Sequence, residues 1–377
     1  MADVFIVAAA RTPVGVGKTG GALNSLPPLD LIAHILREVP KRAGIEPASV
    51  QDVILGCVSP IGEQGANIAR LAALKAGYPI EVPGVTLNRM CGSSQQAIHF
   101  GAQAIASGDM DIVVAGGVES MSRIPIGSDW PKEWPKDFPY QLIHQGLSAE
   151  LVAEKWKLTR DELDSFAYES HIRAGTATRE GRFNREIVPV TVDGRAVTAD
   201  EGIRPNPDRA KMASLKPVFK EDGVITAANS SQISDGAAAM LLASDSAVKR
   251  HGLKPRARIV ARVVVGSDPV LMLTGPIPAA QQILARAGLK LEDIDVIEIN
   301  EAFASVVLAW QSETGADMSR VNPNGGAIAL GHPLGASGAR LMTTLLHELE
   351  RRNARYGLQT MCIGHGMATA TLIERLN

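Results

Sequence analysis

The feature that most constrains the fold of this 377-residue chain is a segment of its first third that recurs near its end. Residues 43–54 resemble residues 287–297, with one residue dropped, and Ala43 and Ala287 are 244 residues apart. The same separation relates residues 91–94 to residues 335–338, and each tetrad follows an Asn-containing turn. A repeated unit of roughly 120 residues is too long for a solenoid. The repeat therefore predicts two similar halves.

Short apolar runs alternate along the chain with segments whose apolar residues have helical spacing. Strands covered by helices on both faces have such nearly continuous apolar runs, so the predicted fold class is α/β. In a duplicated α/β fold, equivalent helix N-termini can face each other, which predicts that Cys91 and His332 lie close together. The predicted strands are 4–9, 52–57, 112–115, 294–299 and 360–363, and the predicted helices are 29–42, 94–106 and 340–349.

The composition changes between the two halves. This middle segment contains three of the four tryptophans, a Pro-rich stretch at 131–139 and a charged, helix-like run at 149–179. These features predict an inserted domain that covers a site. The predicted boundaries are 1–118 plus 234–254 for the N-terminal half, 119–233 for the inserted loop domain, and 255–377 for the C-terminal half.

Charge and cysteine content limit the possible partners and the compartment. The net charge of −2 gives no reason to expect nucleic acid or an anionic membrane as a partner. Three cysteines without a CxxC pair are typical of a reducing compartment. The apolar run at 4–10 leads directly into Arg11 and indicates a buried strand rather than a signal peptide. No stretch reaches the ~18 apolar residues of a membrane span, and we expect a cytoplasmic protein.

Two residues in glycine-rich turns are candidates for covalent chemistry. Cys91 precedes a predicted helix, whose N-terminus can lower the pKa of a thiol, although a lone cysteine is often only a small buried hydrophobe. The turn of small residues after Cys91 favours the catalytic interpretation. His332 lies between Gly331 and Pro333, and this stiff turn suits a base that meets a ligand closely, although histidines in such loops are often simply exposed.

A second group of candidates lies at strand ends. Cys362 ends a predicted strand and precedes Gly364, where backbone N–H groups can approach a ligand as an oxyanion hole requires. Asn300 also ends a predicted strand, a usual site position in α/β sheets. Cys57 is expected in the core. Residues 15–19 lack the first glycine of a phosphate-binding loop, and the CxxH spacing at 362–365 lacks a second ligand pair, so no metal is expected.

Five segments give the chain a specific resemblance to the thiolase family over essentially its whole length. The resemblance implies a five-layer αβαβα arrangement of duplicated halves with an inserted loop domain. It also implies a homodimer or homotetramer. The sequence around Cys91 resembles degradative thiolases, including those of actinobacterial lipid and steroid breakdown. The five segments are 11–13, 87–98, 300–303, 324–333 and 362–364.

The resemblance also implies roles for particular residues. Cys91 is expected to be the nucleophile that takes the acyl group, and His332 its activating base. His332 and Asn300, through a water, are expected to form one oxyanion hole, and the N–H groups of Cys91 and Gly364 the other. Cys362 is expected to be the acid/base at the acetyl-CoA methyl carbon. CoA is then a substrate and no separate cofactor is expected; the residues expected to contact it or line its pocket are Ser231, Arg204, His144, Met272 and Phe303.

The predicted function is ping-pong cleavage of 3-oxoacyl-CoA by CoA, giving acetyl-CoA or propionyl-CoA and a shortened acyl-CoA, and reversible as a Claisen condensation. A biosynthetic acetoacetyl-CoA-forming thiolase is one alternative, and a non-catalytic acyl-CoA-binding or lipid-binding member is another. A ketosynthase-like condensing enzyme is disfavoured by Cys362. Two residues depart from the family pattern: His365 stands where most members have glycine, and Gln145 where some biosynthetic members have methionine.

Overall fold

The computed structural model describes residues 3–376, and a large mixed β-sheet runs through both halves of the chain. The first half contributes β1 to β5 and β8, and the second half contributes β9 to β12. A separate hairpin, β6 and β7, lies between the halves in sequence. The strands are β1 Val4–Arg11, β2 Gly15–Val16, β3 Asp52–Gly56, β4 Gly84–Leu87, β5 Ile112–Ser120, β6 Val190–Val192, β7 Arg195–Val197, β8 Ser234–Ser244, β9 Ala257–Gly266, β10 Val296–Ile299, β11 Tyr356–Ile363 and β12 Met367–Arg375.

The strand order shows the duplication directly. It is β10-β11-β12-β9-β1-β8-β5-β3-β4, with β2 paired to β8. In the first half β3 and β5 are parallel and β8 is antiparallel to β5; in the second half β10 and β11 are parallel and β12 is antiparallel to β11. The halves are joined through β1 and β9 by two residue pairs, Phe5 with Arg258 and Ile6 with Ala257.

The helices form three layers around the two halves of the sheet. One layer (α1, α2) covers the first half, α3 and α11 lie between the halves, and α8 and α9 cover the second half. This is the predicted five-layer αβαβα arrangement. The helices are α1 Pro28–Ala43, α2 Ile68–Ala76, α3 Ser93–Ser107, α4 Gln145–Lys155, α5 Arg160–Arg179, α6 Arg209–Ala213, α7 Asp245–His251, α8 Pro276–Ala287, α9 Ala304–Thr314, α10 Ala327–Leu330 and α11 Ser337–Arg352.

The N-termini of α3 and α11 meet in the central layer, as the repeat predicts. The backbone N–H of Ala339 donates to Ser94 Oγ at 2.9 Å. A Cβ atom on Gly338 would lie 2.4 Å from the backbone nitrogen of Gln95, so only glycine permits this approach. The duplicated fold thus brings the segments that carry Cys91 and His332 to one place.

The segment between β5 and β8 contains α4, α5, α6 and the β6–β7 hairpin. The helix-like run predicted at 149–179 is two helices, because the chain turns at Trp156 and restarts at Thr159, whose side chain and Glu162 form a capping box. The predicted domain boundaries themselves stay a prediction. Among residues 3–376, no helix combines the length and apolarity needed to cross a membrane.

Candidate active site

Cys91 lies in a tight turn that opens α3. Met90 has a positive φ of 45°, and the turn is closed by Ser93, whose Oγ accepts from the N–H of Arg89 at 2.9 Å and donates to the carbonyl of Met90 at 2.6 Å. The Cys91 side chain is buried and packs in one cluster with Leu334 and Ile363. The turn of Cys91, the loop of His332 and the strand of Cys362 therefore converge.

The surroundings of Cys91 favour the neutral thiol. Burial raises its pKa to about 11, and the carboxylate of Glu119 acts in the same direction. Hydrogen bonds from the N–H groups of Gly364 and Cys91, and from the Gln145 side chain, lower the pKa but do not outweigh burial. The position of Cys91 at the start of α3 therefore does not by itself make the thiol a thiolate. The thiol must lose its proton as it attacks.

His332 is held in one tautomer by Ser337. The Ser337 hydroxyl donates to the carbonyl of Pro333 at 2.8 Å, so its oxygen accepts from His332 Nδ1–H at 2.6 Å. The other ring nitrogen, Nε2, then carries a lone pair and lies 3.3 Å from the side-chain Nδ2 of Asn300. The unprotonated nitrogen is thereby oriented towards the site rather than into the helix.

The same burial keeps His332 neutral. Burial, with a smaller effect from the charge of Arg340, lowers the pKa of His332 to about 3. A neutral imidazole can accept a proton from a neighbouring thiol at physiological pH. Beside it, Asn300 Oδ1 is buried and has no hydrogen-bond partner among the described protein atoms. A polar atom in that state suits contact with a water or a ligand.

Cys362 lies at the end of β11, fully buried, three residues before His365. Burial, and then the nearby Cys91, raise the pKa of the Cys362 thiol well above its ordinary value. The two thiols are close enough to influence each other electrostatically. Gly364 follows the strand, and its N–H meets the sulfur of Cys91. Cys91, Cys362 and Gly364 therefore lie close together.

Glu119 connects the loops around these residues. Its carboxylate accepts hydrogen bonds from the N–H groups of Val58, Ser59 and Gly335 at 2.8, 3.2 and 2.9 Å, and from the Gln64 side chain. Burial raises its pKa, and these donors oppose that rise. A buried carboxylate satisfied by four donors fixes the loop of His332 against the end of β3.

The residues predicted to contact CoA lie mainly on one aromatic path. His144 stacks on Phe219 with ring centroids 5.0 Å apart, and Phe219 meets Phe303 edge-on at 6.0 Å. Met272 and Phe303 pack in the same cluster as Cys362, which places this path beside the Cys362 thiol. Ser231 lies next to it, its N–H donating to the carbonyl of Ala302 at 2.9 Å.

Arg204 lies apart from that path, on the surface of a cavity of about 240 Å³. His171, Asp208 and Lys211 also line this cavity, and the His171 ring accepts from the backbone N–H of Arg204 at 3.1 Å. Met212 lines it and also packs in the cluster that contains Phe303, so the cavity and the aromatic path adjoin. The basic side chains there can meet an anionic group.

Four neighbours of the site were not predicted as functional residues: Ser337, Glu119, Gln145 and Phe219. The sequence contains a signal for Ser337, because the 244-residue offset relates it to Ser93. It singles out Gln145 only as a departure from the family pattern, and it contains no signal for Glu119 or Phe219, which approach the site only through the tertiary fold. Among residues 3–376, no group of three or more His, Cys, Asp or Glu side chains is arranged to hold a metal ion.

Comparisons with known proteins agree with this architecture. The family described as Thiolase, N-terminal domain matches residues 4–246, and Thiolase, C-terminal domain matches residues 253–375. The chain is 54% identical to the steroid 3-ketoacyl-CoA thiolase FadA6 of Mycobacterium tuberculosis, over 100% of this chain and 95% of that protein. It is 46% identical to the acetyl-CoA acetyltransferase of Shinella zoogloeoides, over 99% of both. The crystal structure of the Bacillus anthracis acetyl-CoA acetyltransferase superimposes with a TM-score of 0.93 at 41% identity, covering 100% of this chain and 99% of the other.

Proposed function

Because the chain belongs to the thiolase family, we propose that it cleaves 3-oxoacyl-CoA with CoA to acetyl-CoA and a shortened acyl-CoA, through an acyl thioester on Cys91. One observation carries the residue assignment. Two buried thiols, Cys91 and Cys362, lie close together beside backbone N–H donors, and the loop of a neutral His332 packs against Cys91 through Leu334. The arrangement supplies a nucleophile, a base and an acid for breaking a carbon–carbon bond.

In the first half-reaction the Cys91 sulfur attacks the 3-oxo carbon while its proton passes to His332 Nε2. The bond between C2 and C3 then breaks, and its electron pair leaves as the enolate of acetyl-CoA. Cys362 gives its proton to C2 of that enolate and becomes a thiolate. Asn300 and His332 provide polar groups beside the enolate oxygen, and the N–H groups of Cys91 and Gly364 face the new thioester carbonyl.

In the second half-reaction a CoA thiol gives its proton to the Cys362 thiolate and attacks the acyl carbon. The bond between that carbon and the Cys91 sulfur breaks, and the sulfur takes back the proton held by His332. All three groups return to their neutral resting forms. The CoA moiety enters the first half-reaction as part of 3-oxoacyl-CoA, free CoA is the substrate of the second, and the proposed reaction uses no separate cofactor. Its thioester end would lie along the path of His144, Phe219 and Phe303, with its phosphates near Arg204.

The degradative direction is proposed over acetoacetyl-CoA synthesis because relatives named 3-ketoacyl-CoA thiolase include the steroid enzyme at 54% identity. The same chemistry runs as a Claisen condensation when acetyl-CoA is in excess.

A cytoplasmic location is proposed because the three cysteines are all free. Assembly as a homodimer or homotetramer is proposed from the edge strand β4, where Val85 is exposed. Light scattering on the purified protein tests the assembly.

Acylation of the intact protein tests the nucleophile. With 3-oxooctanoyl-CoA and no free CoA, the wild type is expected to gain the mass of one hexanoyl group. The variant Cys91→Ala is expected to gain none. Cys57→Ala is the matched control, because Cys57 is a buried thiol in the core of the first half; its sulfur makes only a long contact with Glu119, at 4.0 Å, and its loss should leave the adduct intact. An adduct on Cys91→Ala, or its absence from the wild type, would show that the assignment is wrong.

A further inference from the structure

We propose that Trp130, Trp134 and His365 form an aromatic wall at the site that selects ring-bearing acyl groups over small or linear ones. The inference rests on the proposed function, because the acyl group meant is the one carried by Cys91. It names three residues as determinants of acyl specificity. None of the three takes part in the steps described above.

The three rings contact one another in sequence. The His365 and Trp134 rings meet edge-on, with centroids 6.0 Å apart and planes at 71°. Trp134 meets Trp130 in the same manner, at 6.3 Å and 60°. Edge-to-face contacts of this kind fix the rings relative to one another. The three rings of the aromatic wall therefore form one connected cluster.

The wall begins at the reacting centre. His365 directly follows Gly364, whose N–H meets the sulfur of Cys91, and it lies three residues after Cys362. An acyl group bonded to Cys91 with its carbonyl at the Gly364 N–H starts one residue from the His365 ring.

His365 has a backbone conformation that is unfavourable for a residue with a side chain. Its φ is +63°, in the left-handed region that glycine adopts most easily, and the next residue, Gly366, has a φ of +75°. Histidine is tolerated in this region but is less favourable there than glycine. Residues with such unfavourable backbone conformations cluster at functional sites, which favours a functional role for the His365 side chain.

The wall is also open enough to receive a ligand. Trp130 and Trp134 are 44% and 41% exposed, an unusual state for two large aromatic side chains. Their segment, 121–144, contains four prolines, which restrict its backbone. A fused-ring group can pack against these rings without losing internal rotations, whereas a linear chain must give them up. This difference favours rigid, ring-bearing acyl groups.

Thiolysis of a graded set of substrates tests the wall. The set contains acetoacetyl-CoA, 3-oxooctanoyl-CoA and a 3-oxoacyl-CoA whose chain ends in a saturated fused ring, with products separated by chromatography. Trp134→Ala and His365→Gly are each expected to lower kcat/KM for the ring-bearing substrate about 10-fold and to leave acetoacetyl-CoA within about twofold. Tyr140→Ala, which removes an exposed ring of the same segment outside the wall, is the control and should change neither value.

A binding measurement separates this inference from the proposed function. The dissociation constants of the ring-bearing acyl-CoA and of butyryl-CoA are compared by calorimetry, which requires no turnover. A wild-type preference for the ring that both variants lose supports the wall even if thiolysis fails. Thiolysis by a wild type that does not bind the ring-bearing acyl-CoA more tightly contradicts the wall but not the proposed function. An equal loss of kcat/KM on every substrate in the two variants contradicts the wall in the same way. His365→Gly removes an unfavourable φ, so its thermal midpoint should not fall, and a lower midpoint would indicate a structural role instead.

Discussion

The turn that opens α3 and the turn that opens α11 occupy equivalent positions in the duplicated fold but do different work. Ser93 and Ser337, 244 residues apart, each donate a hydrogen bond back to a carbonyl of their own turn, Met90 or Pro333. The difference lies in what each serine accepts. Ser93 Oγ accepts a backbone N–H and so closes the turn before Cys91, whereas Ser337 Oγ accepts Nδ1–H of His332.

This comparison separates two physical effects. The turns set orientation, because each serine fixes the geometry of the group that precedes it. Burial sets protonation, because it raises the pKa of the Cys91 thiol and lowers the pKa of His332. Both groups are therefore neutral at rest. A neutral thiol and a neutral imidazole form a donor and an acceptor, so charge appears only during the reaction.

The largest expected effect on the reaction comes from a residue in which the equivalent strands β5 and β11 differ. β11 carries Cys362, whereas the equivalent strand β5 carries Val118 at the 244-residue offset, so under the proposed mechanism only the second half supplies an acid. Cys362→Ala is expected to lower kcat for thiolysis by about 10²–10⁴, the range for loss of a general acid. In this variant the C2 carbon of the departing enolate must take its proton from a group other than Cys362. The hexanoyl adduct on Cys91 should therefore form slowly. Stopped-flow and steady-state assays measure both steps.

Cys57→Ala serves as the control for Cys362→Ala, since it removes a buried thiol in the core of the first half. Retention of full steady-state activity by Cys362→Ala would contradict an acid role for Cys362. It would also remove the functional asymmetry between β5 and β11. A fall in acylation and turnover by the same factor would place Cys362 in the first half-reaction alone.

Much of the architecture could be predicted from the sequence, because each copy of the repeat is a short continuous segment that can be recognised without knowing the fold. The predicted helix 94–106 is α3 at Ser93–Ser107, and the predicted meeting of the α3 and α11 N-termini is confirmed by the Ala339–Ser94 hydrogen bond. Strand β8 was not predicted, because its alanine-rich sequence has weak strand preference. Its burial between β1 and β5 overrides that preference.

The chemistry of the site was less accessible to prediction. Residue type and spacing identified Cys91 and His332, but the pKa of a thiol depends on how many distant segments exclude water from it. Glu119 and Gln145 come close to Cys91 only through tertiary packing. The aromatic contact between Trp134 and His365 joins residues 231 positions apart and has no local signal. Orientation and burial, the two effects above, are therefore properties of the folded chain.

A smaller effect is expected from the serines that distinguish the two turns. Ser337→Ala frees the His332 ring to rotate or to exchange tautomers, so kcat/KM for thiolysis should fall about 100-fold, the cost of a misplaced catalytic group. Ser93→Ala leaves the backbone of the Cys91 turn intact apart from two hydrogen bonds and should cost less. A pH profile measures the cause, because only Ser337→Ala should move the acidic limb. Equal losses with unchanged profiles would show that both serines are merely structural.

The smallest expected effect tests whether burial alone sets protonation. His99, on α3 away from both turns, contacts Thr371 Oγ1 at 2.8 Å, and burial, with Arg262 and Arg89, lowers its pKa to about 3. Between about pH 6.5 and pH 3 the unfolded chain binds a proton at His99 that the folded chain does not bind. The free energy of unfolding of the wild type therefore decreases as the pH falls. At pH 5 this loss is about 2 kcal/mol. His99→Gln lacks it, so the difference in unfolding free energy between wild type and variant should shrink by that amount from pH 7 to pH 5. Urea unfolding at one protein concentration measures the difference, and a difference independent of pH would show that His99 binds its proton at the same pH in the folded and unfolded chains, so that burial does not shift its pKa.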